Sequence, residues 1–199
     1  MYYKVLDHNG HFGCDSIALA GHNCLFKDKT FRVLLIYFET DFLNDIQDHA
    51  YLGGDAAIDS GIERKVADHY IDITEERNLN LLRRSFSLGI AECEQMMLFL
   101  TKNKIFGHMS LDSQERPNIP EYLLEMRVDC NSSENTVVLI QQLVFSYVIA
   151  RAIRDYCLDA YPAGAERWGL QMDQCKEQIA EAARTLDVKG ERRPWPYIW

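Results

Sequence analysis

The sequence predicts a mainly α protein: a helical bundle of three long helices plus a shorter one, with a small β element from the N-terminal region and residues 121–129. Three patterns predict it. The line Leu79, Leu82, Phe86, Ile90, Cys93, Met97, Leu100 advances in steps of 3, 4, 4, 3, 4 and 3, which is one continuous helical stripe. The line Ala165, Trp168, Met172, Cys175, Ile179, Ala182, Leu186 does the same in steps of 3, 4, 3, 4, 3 and 4. Between them, residues 135–161 are apolar on most sides, the mark of a central helix.

The elements follow in chain order. Tyr2 to Leu6 reads as a short strand, and Asn9-Gly10 as a turn. Phe31 to Phe38 is β-branched and aromatic and reads as a buried strand, with helix as the competing reading. Thr40 is positioned to cap a first helix, Asp41 suits its first turn, and Phe42, Ile46 and Ala50 follow at helical spacing. Gly53-Gly54 is expected to stop it. Residues 55–71 have no clean period and read as a connector with a short helical piece. Asp72 or Thr74 is expected to cap the next helix, which runs towards Lys102 and Lys104 and exits at Gly107. Pro117 and Pro120 mark a loop.

From Glu121 to Asp129 the chain alternates. Tyr122, Leu124, Met126 and Val128 share one face of a half-buried strand, with Leu123 as the exception on the other. Asn131-Ser132-Ser133 breaks the strand and offers caps to the central helix, from about Asn135 to Tyr161, which includes Val138, Leu143, Phe145, Tyr147 and Ile153. Pro162 is expected to end it. The last helix has a polar outer face and is followed by Gly190. This divides the chain into an N-terminal β-rich extension (1–39), a helical bundle domain (40–190) and an extended C-terminal tail (191–199).

Composition narrows the function classes. The chain has 199 residues, 47% of them hydrophobic and 26% charged, enough apolar matter for a core. It carries 21 Lys+Arg against 30 Asp+Glu, a net charge of -9. That balance argues against nucleic-acid binding, which needs a cationic surface. The N-terminus has no basic region followed by an apolar run, so no signal peptide is expected. The apolar-rich stretch Val137 to Leu158 is interrupted by Arg151, Arg154 and Asp155, which are costly in a bilayer, so a buried soluble helix is expected there. The six cysteines are then expected to be reduced thiols, with Cys93, Cys157 and Cys175 on core stripes.

Candidate chemistry is sparse. His8, His11, Cys14, His22 and Cys24 place five ligand-type side chains within 17 residues. Zinc takes imidazole and thiolate ligands, but these spacings match no standard zinc module. A turn-rich hairpin is the preferred reading, and no metal or other cofactor is expected. Asp45 and His49 stand at i, i+4 and can face each other; Asp68-His69 is a second acid–base pair. A solvated helix face is the preferred reading of both. No Gly-x-Ser-x-Gly, Gly-x4-Gly-Lys or Gly-x-Gly-x-x-Gly occurs, and no Glu-x-x-His stands on the helices.

The tail is the most unusual segment. Arg192-Arg193-Pro194-Trp195-Pro196-Tyr197-Ile198-Trp199 joins two cations, two prolines and three aromatics. The prolines favour an extended course, and Trp, Tyr and Arg are enriched at binding hot spots. Docking of Arg192, Arg193, Trp195, Tyr197 and Trp199 on a partner, and folding back over the chain's own bundle, both remain open.

A resemblance rests on Tyr122-Leu123-Leu124-Glu125-Met126, the run Ala152 to Pro162, Ala165-Glu166-Arg167-Trp168, the further helix to Leu186, and the Arg-Arg-Pro plus aromatic ending. Over residues 40–199 this arrangement resembles uncharacterised proteins of tailed phages and prophages of gut bacteria. Its helical layout is similar to head–tail connector (adaptor) proteins. The resemblance implies a non-enzymatic structural protein that assembles as a ring between portal and tail, with no catalytic residues. Its partners would be copies of itself and portal or tail proteins, with no membrane and no sequence-specific nucleic acid. Its place would be the host cytoplasm and then the virion. The alternative is a small metal-binding or regulatory module built on the N-terminal His/Cys cluster. A third reading is an enzyme using Asp45 and His49.

Overall fold

A computed structural model describes residues 2–6, 30–59, 72–97, 121–129, 132–158 and 161–186. Among the described residues the fold is mainly helical. Strand β1 (Tyr2–Leu6) and strand β2 (Thr30–Phe38) precede helix α1 (Glu39–Asp59). Helix α2 (Leu79–Met96), strand β3 (Glu121–Asp129), helix α3 (Glu134–Cys157) and helix α4 (Pro162–Thr185) follow. The expected fold class is therefore the one observed.

The three strands form one antiparallel sheet in the order β1-β2-β3. Its register pairs Val33 with Met126 and Leu35 with Leu124. Period-2 alternation then sends Val33, Leu35 and Tyr37 to the same face as Leu124, Met126 and Val128, and all six are buried in the helical core. Leu34 and Ile36 point to the opposite face, are also buried, and pack with Phe38 and Leu123. Strand β2 thus has two buried faces, which is why it reads as a continuous apolar run. It also explains Leu123, the residue that breaks the alternation of β3.

Helix α3 is the central element. It packs against both α2 and α4, and its contact with α4 is the most extensive between helices. Residues around most of its circumference are buried, Val137, Ile140, Val144, Tyr147, Val148 and Ile153 among them. It is long and apolar enough by composition to cross a membrane, but more than half of its apolar window lies inside the fold. Helix α4 buries all seven residues of its expected stripe, from Ala165 to Leu186. Helix α2 buries Leu82, Phe86, Ile90 and Cys93, with Met97 just past its end. At Gly89 the α2 backbone comes close to α3: a Cβ there would lie 3.1 Å from Val148 Cγ2.

An aromatic cluster ties the sheet to the helices. Phe42 of α1 stacks on Phe86 of α2 (4.9 Å between centroids), Phe145 of α3 (5.0 Å) and Tyr37 of β2 (5.8 Å). Tyr122 of β3 meets it edge-on at 5.8 Å. The Tyr37 hydroxyl donates to the backbone oxygen of Gln141 at 3.2 Å. Burial pushes that phenol well above its usual range, so it stays protonated. Where β2 becomes α1, the buried Glu39 accepts a two-pronged hydrogen bond from Arg83 of α2, at 2.9 to 3.1 Å. The first turn of α1 also suits a carboxylate electrostatically.

Several expected boundaries are corrected. Helix α1 begins at Glu39 and runs through Gly53-Gly54 to Asp59. Glycine lowers helix stability by about 1 kcal/mol but does not forbid helical backbone. Asp72 and Thr74 do not cap α2. They form a 3-10 turn, Asp72–Thr74, followed by a second, Glu76–Asn78. Asp72 instead ties these turns together, its backbone oxygen accepting from Glu75 N (3.1 Å) and Asn78 Nδ2 (2.9 Å). Helix α2 ends at Met96 rather than running to Lys104; Leu100, Lys102, Lys104 and Gly107 lie outside the described residues. Helix α3 stops at Cys157, and Pro162 opens α4 as its first residue, a position where the missing N–H loses nothing. Phe145 is half-buried at the edge of the aromatic cluster rather than fully enclosed.

Candidate functional site

Two polar features of the described residues stand out, both built on α3. The first is a seam between α2, α3 and α4. Tyr147, Arg151 and Asp155 are spaced four apart on α3 and so share one face. Ser85 and Glu92, seven apart on α2, face them. Tyr147 and Arg151 both reach Glu92 Oε2. Arg151 Nε stands 3.5 Å from Asp155 Oδ2, in ion-pair range without hydrogen-bond geometry. Ser85 Oγ donates to the same Asp155 oxygen at 3.1 Å. Lys176 of α4 sits 5.9 Å above the Tyr147 ring.

The electrostatics of this seam are those of a strut. Burial pushes Glu92 up, but the hydrogen bonds from Tyr147 and Arg151 and the charges of Arg151 and Lys176 outweigh it and hold the carboxyl below its usual range. Burial and Glu92 push the Tyr147 phenol up. Burial likewise raises the neighbouring Cys93 thiol and takes Cys157 up to about 12. Near neutral pH the carboxylate is therefore charged, and the phenol and thiols are protonated. None of these groups is poised to exchange a proton or attack, since general acid–base work needs a pKa near the working pH. The arrangement instead ties α2 to α3 through paired groups, with Lys176 of α4 over the Tyr147 ring.

The second feature is a groove of about 400 Å³ on the outside of the α3–α4 pair. Arg154 and Leu158 supply one wall from the end of α3; Pro162, Ala165, Glu166, Gly169, Leu170 and Asp173 supply the other from the start of α4. At Gly164, beside the groove's Ala165, a Cβ would lie 2.3 Å from the Tyr161 ring, whereas at Gly169, in the groove lining, a Cβ would stand 3.8 Å from Arg154, an ordinary contact. Arg154 Nη1 lies 4.0 Å from both Asp155 Oδ1 and Met172 Sδ. Leu158 and Leu170 are 48% and 63% exposed, unusually open for large aliphatic side chains flanking one groove. The surface stripe continues along α4 as Asp173, Glu177 and Glu181.

The residues singled out from sequence fall elsewhere. Asp45 and His49 do pair, at 3.4 Å, each 42% exposed. The imidazole also meets the Trp168 ring edge-on at 5.3 Å. This half-solvated pair on α1 lies apart from the groove and the seam. His8, His11, Cys14, His22 and Cys24 lie outside the described residues, as do Asp68, His69 and the tail residues Arg192, Arg193, Trp195, Tyr197 and Trp199. Among the described residues no group of three or more His, Cys, Asp or Glu side chains could hold a metal ion. Cys93, Cys157 and Cys175 are buried free thiols, as expected. Sequence reasoning missed the seam, although the four-residue spacing of Tyr147, Arg151 and Asp155 carries it. It missed the groove too, which has no local signal.

In comparisons with known proteins, no family model, no curated protein and no solved structure matches this chain.

Proposed function

We propose that the chain is a non-enzymatic assembly protein, similar in role to the head–tail connectors of tailed phages, acting through self-association and docking of its tail. The observation that carries this reading is the groove where Leu158 and Leu170 stand exposed between charged residues. Apolar side chains gathered at a polar-rimmed surface groove are what a protein partner covers. The seam supports the same reading, because its charges pair with one another to hold α2 against α3. The connector-like order of helices, from the resemblance, supplies the rest. On this reading the partners are further copies and portal or tail proteins, in the host cytoplasm and then in the virion, with no cofactor.

The mass of the purified protein tests it. Light scattering across a concentration series, alone and with a tailed-phage portal protein, is expected to show species of several copies, visible as rings by negative stain. A strict monomer or dimer under both conditions would overturn the reading.

A further inference from the structure

The α3–α4 groove sets Leu158, Pro162, Ala165 and Leu170 beside the carboxylates of Glu166 and Asp173 and the guanidinium of Arg154, an acidic stripe continues from it along α4, and the chain carries a segment of matching chemistry. Glu166, Asp173, Glu177 and Glu181 stand with Leu170 on one exposed stripe of α4, at steps of 4, 3, 4 and 4 from Glu166 through Leu170. The residues after α4 include Arg192, Arg193, Trp195, Tyr197 and Trp199. We propose that the groove between α3 and α4 receives the 191–199 segment of a second copy of this chain. This rests on the assembly reading above and names the surface that reading leaves open.

The chemistry fits on both counts. Trp195 and Trp199 carry large apolar rings able to cover the exposed side chains of Leu158 and Leu170. Arg192 and Arg193 can reach carboxylates of the stripe with paired, charge-assisted hydrogen bonds. Among the described residues Glu166 has no ion-pair partner, and Asp173 has only Lys176, at 3.4 Å. Pro194 and Pro196 limit the freedom of the free segment, so less is lost on docking.

The assembly reading favours a second copy as the source of the segment. The 13 residues after Leu186 span up to about 40 Å when extended, against about 24 Å from Leu186 back to Leu170, so the chain's own segment is the competing occupant and the test below separates the two. A tail-to-groove contact is also head-to-tail rather than self-complementary, the kind that closes into a ring when the rotation allows.

Complementation of two variants tests this. The groove variant Leu158→Glu with Leu170→Glu changes two exposed positions, and the tail variant Trp195→Ala with Trp199→Ala leaves the groove intact. Circular dichroism checks that both fold. In sedimentation velocity each alone is expected to self-associate at least about tenfold more weakly than the unaltered chain. An equal mixture is expected to form a one-to-one complex, because one sound tail then meets one sound groove. If the unaltered chain assembles and the variants assemble equally well, or the mixture does not pair, the groove assignment is wrong while the assembly reading stands. If the unaltered chain stays monomeric, and the tail variant only lowers the melting temperature, the tail covers its own bundle and both fail.

Discussion

Phe42 is the residue whose removal should cost the bundle most. Its ring is fully buried and touches four others, from β2, α2, β3 and α3. Truncating a buried Phe to Ala ordinarily costs about 3–5 kcal/mol, the lost transfer energy plus that of the cavity left behind. The four partners belong to four different elements, so none can move in to fill the space without disturbing its own packing. The aromatic pairs add about 0.5–1.5 kcal/mol each beyond burial, although not additively. The expected cost of Phe42→Ala is therefore at the upper end, about 4–5 kcal/mol. Phe145 is half-buried and contacts the same cluster from its edge, so Phe145→Ala should cost only about 2–3 kcal/mol. Leu139, 46% exposed on α3, is the control and should change little. Urea unfolding followed by far-ultraviolet circular dichroism measures all three. A cost for Phe42→Ala below about 2 kcal/mol, or no larger than that of Phe145→Ala, would refute the hub reasoning.

Three further outcomes are expected. Gly89→Ala gains about 1 kcal/mol of helix propensity but places a methyl 3.1 Å from the stiff Val148 side chain and 3.4 Å from its Cα; a net loss of about 1 kcal/mol in urea unfolding is expected, and a net gain would show that α2 and α3 separate freely. Glu92 has a folded pKa below its ordinary 4.5, so its stabilisation is complete above that value and is lost as the pH falls below it; melting temperatures across that window should fall more steeply for the native chain than for Glu92→Gln, and parallel curves would contradict the seam. Gln141 is buried, and its Nε2 has no hydrogen-bond partner among the described residues; Gln141→Met should therefore be neutral or stabilising by about 1 kcal/mol, whereas a loss above about 2 kcal/mol would reveal a partner for the amide.

What could be read from the residues alone was whatever depends on neighbours along the chain. The apolar steps of α2 and α4 name their buried faces correctly because a helix repeats every 3.6 residues whatever it packs against. The alternation of β3 names its inward face for the same reason, and its bounds, Glu121–Asp129, are those observed. Tertiary structure decided the rest. Whether Gly53-Gly54 ends a helix, or Asp72 caps one, is a small local preference that the surrounding fold overrides. The pairings that define the core and seam join residues far apart: Glu39 with Arg83 across 44 positions, Glu92 with Tyr147 across 55, Tyr37 with Gln141 across 104. The groove was hidden for the same reason. Leu158 and Leu170 are ordinary leucines in the sequence, and only the packing of α4 beside α3 leaves both exposed on one groove.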